Sequence, residues 1–168
     1  MLVIALTVKL TGKGPIFYRQ IRLGYNQRKF VMLKFRTMGN DAEKSGPNWT
    51  AVNDNRRTVV GKWLRVFSLD ELPQLINVFK GEMSLVGPRP EQPSFAKNFS
   101  EEYKRYMLRH NVKAGLTGWA QINGYRGDTS LRKRLLYDLY YIRNWSFAFD
   151  FWILIRTPVH VIKGKNAY

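Results

Sequence analysis

The chain has 168 residues, with 28 Lys or Arg against 12 Asp or Glu, giving a formal net charge of +16. That length suits one domain with a working core, and 45% apolar with 14% aromatic residues exclude a disordered basic tail. Without cysteine there is no disulfide framework, thiolate metal site or cysteine nucleophile, and two histidines, His110 and His160, argue against a histidine-ligated zinc.

Residues 1–10 (MLVIALTVKL) are too few to cross a bilayer alone, which takes about 20 apolar residues. They also lack the basic n-region and cleavage site of a signal peptide. They read as a buried strand or helix, or as the end of a longer membrane-associated segment. The second reading is favoured, which makes residues 1–10 that remnant and residues 11–168 the functional domain. A turn at Gly12-Lys13-Gly14-Pro15 leads into two β-like stretches, Ile16 to Arg22 and Lys29 to Phe35, which read as a hairpin. Residues 39–58 are polar and rich in Gly, Asn and Asp, the composition of a mobile surface loop. Helical periodicity returns at Val60 to Phe67 and at Leu72, Leu75, Ile76 and Phe79, with Gly81 as a stop. Ser84 to Val86 is a short strand, Phe95 to Asn111 an amphipathic basic helix, and Gly115 to Gly127 a Gly-punctuated loop and strand region. Ser130 to Asn144 is a further helix. Phe147 to Ile162 is aromatic and aliphatic, and Pro158 limits a helix there to about three turns. The fold expected is α+β, a small mixed domain with a short hairpin and several helices, some of them amphipathic and interfacial.

A cationic domain of this kind calls for an anionic partner: nucleic acid, an anionic membrane surface or a phosphorylated small substrate. Lys34 and Arg36 share one face at the end of a strand, where two cations suit diphosphate oxygens; a solvated strand face is the plainer explanation. Asp70 and Glu71 are adjacent acids in a basic chain. Ser68 and Glu71 match a capping box, yet Pro73 fits better if Asp70 is the N-cap, and both carboxylates could then approach one hydrated Mg²⁺. Arg89 stands between Pro88 and Pro90, which hold it extended, so it is either a rigid phosphate ligand or an exposed turn residue. Trp119 beside Gln121 and Asn123 could read a nucleobase or belong to a packed strand. Asp138, on a basic and apolar helix, reads as half of an ion pair. The segment Phe147 to Arg156 fits an interfacial helix in the headgroup region or a C-terminal core helix.

The strings GPIFYRQIRLG (14–24), MLKFRTM (32–38), SLDELPQLINVFKGEMSLVGPRPE (68–91), KAGLTGWAQINGYRGDT (113–129) and YDLYYIRNWSFAFD (137–150) together resemble the bacterial sugar transferases. These are the monotopic polyprenyl-phosphate phosphoglycosyl transferases, and the chain is most similar to their undecaprenyl-phosphate glucose phosphotransferase branch. The resemblance implies transfer of a sugar 1-phosphate from a UDP-sugar to polyprenyl phosphate, with UMP released, as the first membrane step of exopolysaccharide or O-antigen assembly. It implies Mg²⁺ as cofactor, held by Glu71 with Asp70, and Asp70 as the nucleophile of a covalent phosphosugar intermediate. Lys34, Arg36, Arg89, Pro90, Asp138, Trp119 and Gln121 are carried over as substrate-binding positions, Asp138 without an assigned role. It also implies attachment to the cytoplasmic leaflet of the bacterial inner membrane, no nucleic-acid partner, and a homo-oligomer as one option. The competing reading is a basic membrane-peripheral or nucleic-acid-binding module without catalysis.

Overall fold

Alternating apolar residues from Phe17 to Phe35 make the first structural unit. In the computed structural model, which describes residues 1–12, 14–39, 42, 54–127 and 129–162, strands β1 (Phe17–Leu23) and β2 (Lys29–Phe35) pair antiparallel, with Tyr18 opposite Lys34. Their connection turns through Asn26 and Gln27, both at positive φ. Of the expected surface loop 39–58, residues 40–41 and 43–53 lie outside the described residues.

Helix α1 (Leu2–Leu10) lays Val8 against Phe35 of β2 and Leu64 of α2 (Val59–Val66). Its opposite face leaves Leu2, Val3, Leu6 and Leu10 exposed. Thr58 caps α2 by accepting from the Gly61 amide at 2.9 Å, one of the orphan donors of a helix start. Gly61 itself is dictated by packing, because a Cβ there would sit 2.0 Å from the Thr37 carbonyl oxygen. Gly61→Ala is therefore expected to cost about 1–3 kcal/mol in urea unfolding, despite the better helix propensity of alanine. Gly39→Ala, with no described neighbour within 4 Å of the added carbon, is the control that should change little.

After α2 comes a 3₁₀ turn, Leu69–Glu71, and then α3 (Gln74–Phe79). Neither sequence-based version of this helix start is found. Ser68 is at φ 53 and makes no side-chain cap bond, Asp70 is inside the 3₁₀ turn, and Pro73 is the residue that opens α3. A proline needs no N–H partner at that point, so the helix starts where the missing donor costs nothing. Asn77 on α3 fastens the helix to β2: its side chain accepts from the Leu33 amide at 3.1 Å and donates to the Val31 carbonyl at 2.8 Å. That stitch brings the turn carrying Asp70 and Glu71 against the strand carrying Lys34.

Strand β3 (Ser84–Val86) pairs in parallel with β4 (Gly115–Thr117), not with the hairpin. The basic stretch 95–111 is not one helix. Helix α4 runs Pro93–Glu102, Tyr103 is extended at φ −123, and a 3₁₀ segment follows over Tyr106–Asn111. The break turns Tyr106 into a core with Leu23, Ala96 and Leu135. Trp119 is not on a strand either: α5 (Trp119–Ile122) is a single helical turn after Gly118. Glycine is required at 118 because a Cβ would lie 2.1 Å from the Gly87 carbonyl oxygen, where the two backbones cross.

Ser130 caps α6 (Leu131–Arg143), and α7 (Phe147–Ile162) is longer than expected, with Pro158 inside its 16 residues. The buried face of α7 places Ile153 against Val86 and Tyr141. Phe147, Phe151, Ile155 and Val159 are exposed on the same helix. No helix among the described residues is long and apolar enough to cross a membrane. The architecture is α+β, as expected from the sequence.

Candidate active site

Two carboxylates from one 3₁₀ turn lie under the hairpin, each only 4% exposed, in different surroundings. Glu71 collects three cations. Lys34 Nζ is 2.8 Å from its Oε1, Arg89 donates through both terminal nitrogens to Oε1 and Oε2 at 2.5 and 3.2 Å, and Arg126 Nη2 is 3.0 Å from Oε1. Burial alone would push the Glu71 carboxyl up, but Arg126, Arg89 and Lys34 outweigh it and hold it well below the usual carboxylate range. Asp70 has no such bracket. Its Oδ1 is buried without a hydrogen-bond partner, and burial raises its carboxyl against the opposing pull of Lys34. One acid is thus fixed as an ionised anchor, while the other presents an unengaged oxygen. The amide of Gln74, one turn further on, is also fully buried with neither Nε2 nor Oε1 partnered.

Burial also lowers Lys34 to about 8, with Glu71 opposing the shift. Beside it opens a cavity of about 990 Å³. Seven basic side chains line it, Lys9, Arg19, Arg22, Lys34, Arg36, Arg56 and Arg65, and none of its described lining residues is acidic. Walls of Ile16, Phe17 and Phe35 complete it. Low-dielectric walls lined by one sign of charge concentrate an oppositely charged ligand.

The sequence-predicted positions divide. The structure brings Asp70, Glu71, Lys34 and Arg89 together. It does not bring Arg36 to Glu71 alongside Lys34: the Arg36 guanidinium donates to the Val8 and Gly12 carbonyls at 3.0 and 2.8 Å, closing the end of α1. Pro90 contributes its carbonyl, which accepts from Arg22 at 3.1 Å. Asp138 is buried in an ion pair with Arg109 at 2.8 Å. Trp119 packs its ring among Tyr137, Tyr140, Phe149 and Trp152. Gln121 donates to the Leu116 carbonyl at 2.9 Å. Trp119 therefore packs α5 against α6 and α7, and Gln121 ties α5 back to β4.

Arg126 was not singled out from the sequence, although it also donates to the Ser68 hydroxyl at 3.0 Å. A usable signal existed: Gly124 and Gly127, both at positive φ, mark turns on either side of it. Arg65, which donates to the Thr37 hydroxyl at 2.8 Å, carried no comparable mark.

Comparison with known proteins places the chain by its sequence as a whole. The chain is 46% identical over its whole length to a UDP-glucose:undecaprenyl-phosphate glucose-1-phosphate transferase of Xanthomonas campestris pv. campestris, covering 36% of that protein. It is 42% identical to a UDP-N-acetylgalactosamine-undecaprenyl-phosphate N-acetylgalactosaminephosphotransferase of Aeromonas hydrophila, over 99% of this chain and 40% of that one. It is 39% identical to the exopolysaccharide production protein PSS of Rhizobium leguminosarum bv. phaseoli, over 99% of this chain and 88% of the relative. The chain spans little more than a third of the length of the first two of these relatives. The sequence profile of the bacterial sugar transferases matches residues 1–164, and the chain belongs to that family.

Proposed function

We propose that the chain transfers a hexose 1-phosphate, glucose or galactose, from a UDP-sugar to polyprenyl phosphate and releases UMP. The observation that carries this reading is the asymmetry of the acid pair, an unpartnered Asp70 oxygen beside a Glu71 held ionised by three cations. In the first half, Asp70 Oδ1 attacks the phosphorus that bears the sugar, and the bond from that phosphorus to the bridging oxygen of UMP breaks. In the second, an oxygen of polyprenyl phosphate attacks the same phosphorus and frees Asp70. Splitting the transfer lets a water-soluble donor and a lipid acceptor use the site in turn. Lys34, Arg89 and Arg126 face the charge that develops on the phosphoryl oxygens.

The adjacent carboxylates of Asp70 and Glu71, one of them with an unpartnered oxygen, support a site for Mg²⁺. Among the described residues no group of three or more acidic or histidine side chains could hold a metal by itself, and this ion commonly takes one or two carboxylates and fills its other positions with water and substrate phosphate. Glu71 and Asp70 are the carboxylates that would hold it. When bound, Mg²⁺ neutralises diphosphate charge and makes UMP a better leaving group.

The exposed apolar residues of α1 and α7, with the net charge of +16, support a place on the cytoplasmic leaflet of the bacterial inner membrane. The deciding experiment measures UMP release with undecaprenyl phosphate and UDP-glucose, UDP-galactose or N-acetylated UDP-sugars in turn. No release with any donor would overturn the reaction, and release only with an N-acetylated donor would overturn the hexose.

Lys34 sets a pH limit. Its ammonium is present below about 8 and lost above it, so kcat/KM is expected to fall as pH rises through that value. In Lys34→Arg, which stays charged, this falling limb should move to higher pH. For stability the sign is opposite. Between about 8 and the ordinary value of 10.5 the unfolded chain binds the extra proton, so this group makes the fold more stable as pH rises through that window.

A further inference from the structure

The aim of Arg89 is set from outside the acid pair. Its carbonyl accepts from Arg109 Nη2 at 2.9 Å, and the same guanidinium donates through Nε and Nη2 to Asp138 Oδ2 at 3.1 and 2.8 Å and through Nη1 to the Tyr106 hydroxyl at 2.9 Å. Arg109 and Asp138 are both almost fully buried. The next residues are tied as firmly. Arg22 donates to the Pro90 carbonyl and to Glu91, Arg134 donates to Glu91 at 3.4 Å, and the Leu23 amide donates to the Glu91 carbonyl at 2.9 Å. Asp138 and Arg134 are one turn apart on α6, so that helix carries both ends of the scaffold.

A buried ion pair is a poor stabilising device, because desolvation offsets its attraction. Here the pair is joined to a main-chain carbonyl whose own side chain is bidentate on Glu71. Pro88 and Pro90 restrict the backbone around Arg89, so fixing its carbonyl leaves mainly side-chain rotation to direct the guanidinium. We propose that Asp138 and Arg109 are positioning residues for sugar-phosphate transfer, holding the Arg89 main chain so that its guanidinium meets Glu71 and the phosphate above it. Arg109 serves both partners at once because its planar fork offers several fixed donors; lysine in its place keeps the charge but cannot span both. This inference rests on the proposed transfer reaction.

The test is a double-mutant cycle on the full chain. Arg109→Lys is expected to lower kcat by about 10–100-fold, the scale of a misplaced catalytic group. Arg89→Lys should do the same, and the double variant should be within about threefold of Arg89→Lys alone, since two residues acting through one path do not add. Multiplying effects would overturn the proposal. If Arg109→Lys fails to fold, Arg109→Met with Asp138→Leu removes both charges together and replaces it in the cycle with the same expectation. A second readout does not depend on activity. The Nε–H proton of Arg89, assigned in NMR spectra by its loss in Arg89→Lys, should exchange with solvent at least tenfold faster in the Arg109 variant. An unchanged exchange rate would overturn positioning even if no UDP-sugar is a substrate. Faster exchange without any transfer would overturn the reaction and leave the Arg109–Arg89 link standing.

Discussion

Asp70→Asn is expected to reduce UMP release by about 10⁴-fold or more, the scale seen when a covalent nucleophile is removed, while leaving the fold intact. Burial raises the Asp70 carboxyl, so its charged form is held in the folded state at a cost. A neutral amide of the same shape removes that cost, and the thermal midpoint should hold or rise. Intact protein incubated with UDP-sugar alone should gain the mass of a phosphosugar on Asp70, and Asp70→Asn should not. Full activity in the variant, or an adduct on another residue, would remove Asp70 from the nucleophile's role.

Glu71→Ala should do the reverse for stability. It leaves Lys34, Arg89 and Arg126 without their shared carboxylate, and breaking a buried pair from one side costs about 3–5 kcal/mol. The three cations keep 17–21% of their side-chain surface in water, which places the expected loss near 3 kcal/mol. For a domain of this size that lowers the midpoint by about 6–12 °C. Activity should be lost as well, through the scattering of the three cations. Neighbouring acids whose removal shifts stability in opposite directions would be strong support for their division of labour. A destabilised Asp70→Asn together with a neutral Glu71→Ala would sink it.

The hairpin was legible because β-branched and aromatic residues cluster between turn formers, and that local signal survives in the fold. Asp70 and Glu71 were marked by the family strings around them, since adjacency alone would equally have marked Glu101 and Glu102. Their environments were not. Lys34 is 37 residues from Glu71 and Arg89 is 18 away, so the contacts exist only once α3 is stitched to β2. The fate of Arg36 illustrates the same limit. Strand alternation placed it beside Lys34, yet the free carbonyls at the end of α1 take its guanidinium. Asp138 read correctly as half of an ion pair, but the link from its partner to Arg89 has no local trace. Trp119 misled because a four-residue helical turn is too short to print a period.

The parallel pairing of β3 with β4 orders the assembly of these parts in time. Closing the hairpin needs only the short turn between β1 and β2, whereas Val86 meets Thr117 only after the chain between them has been looped back. That loop carries both Arg89 and Arg109, and its closure entropy must be met before the ladder returns anything. Refolding is therefore expected to form the strand bearing Lys34 early and to deliver the arginines late. In the interval Glu71 lacks Arg89, so the electrostatic balance of the turn carrying Asp70 and Glu71 is completed only by a late folding step.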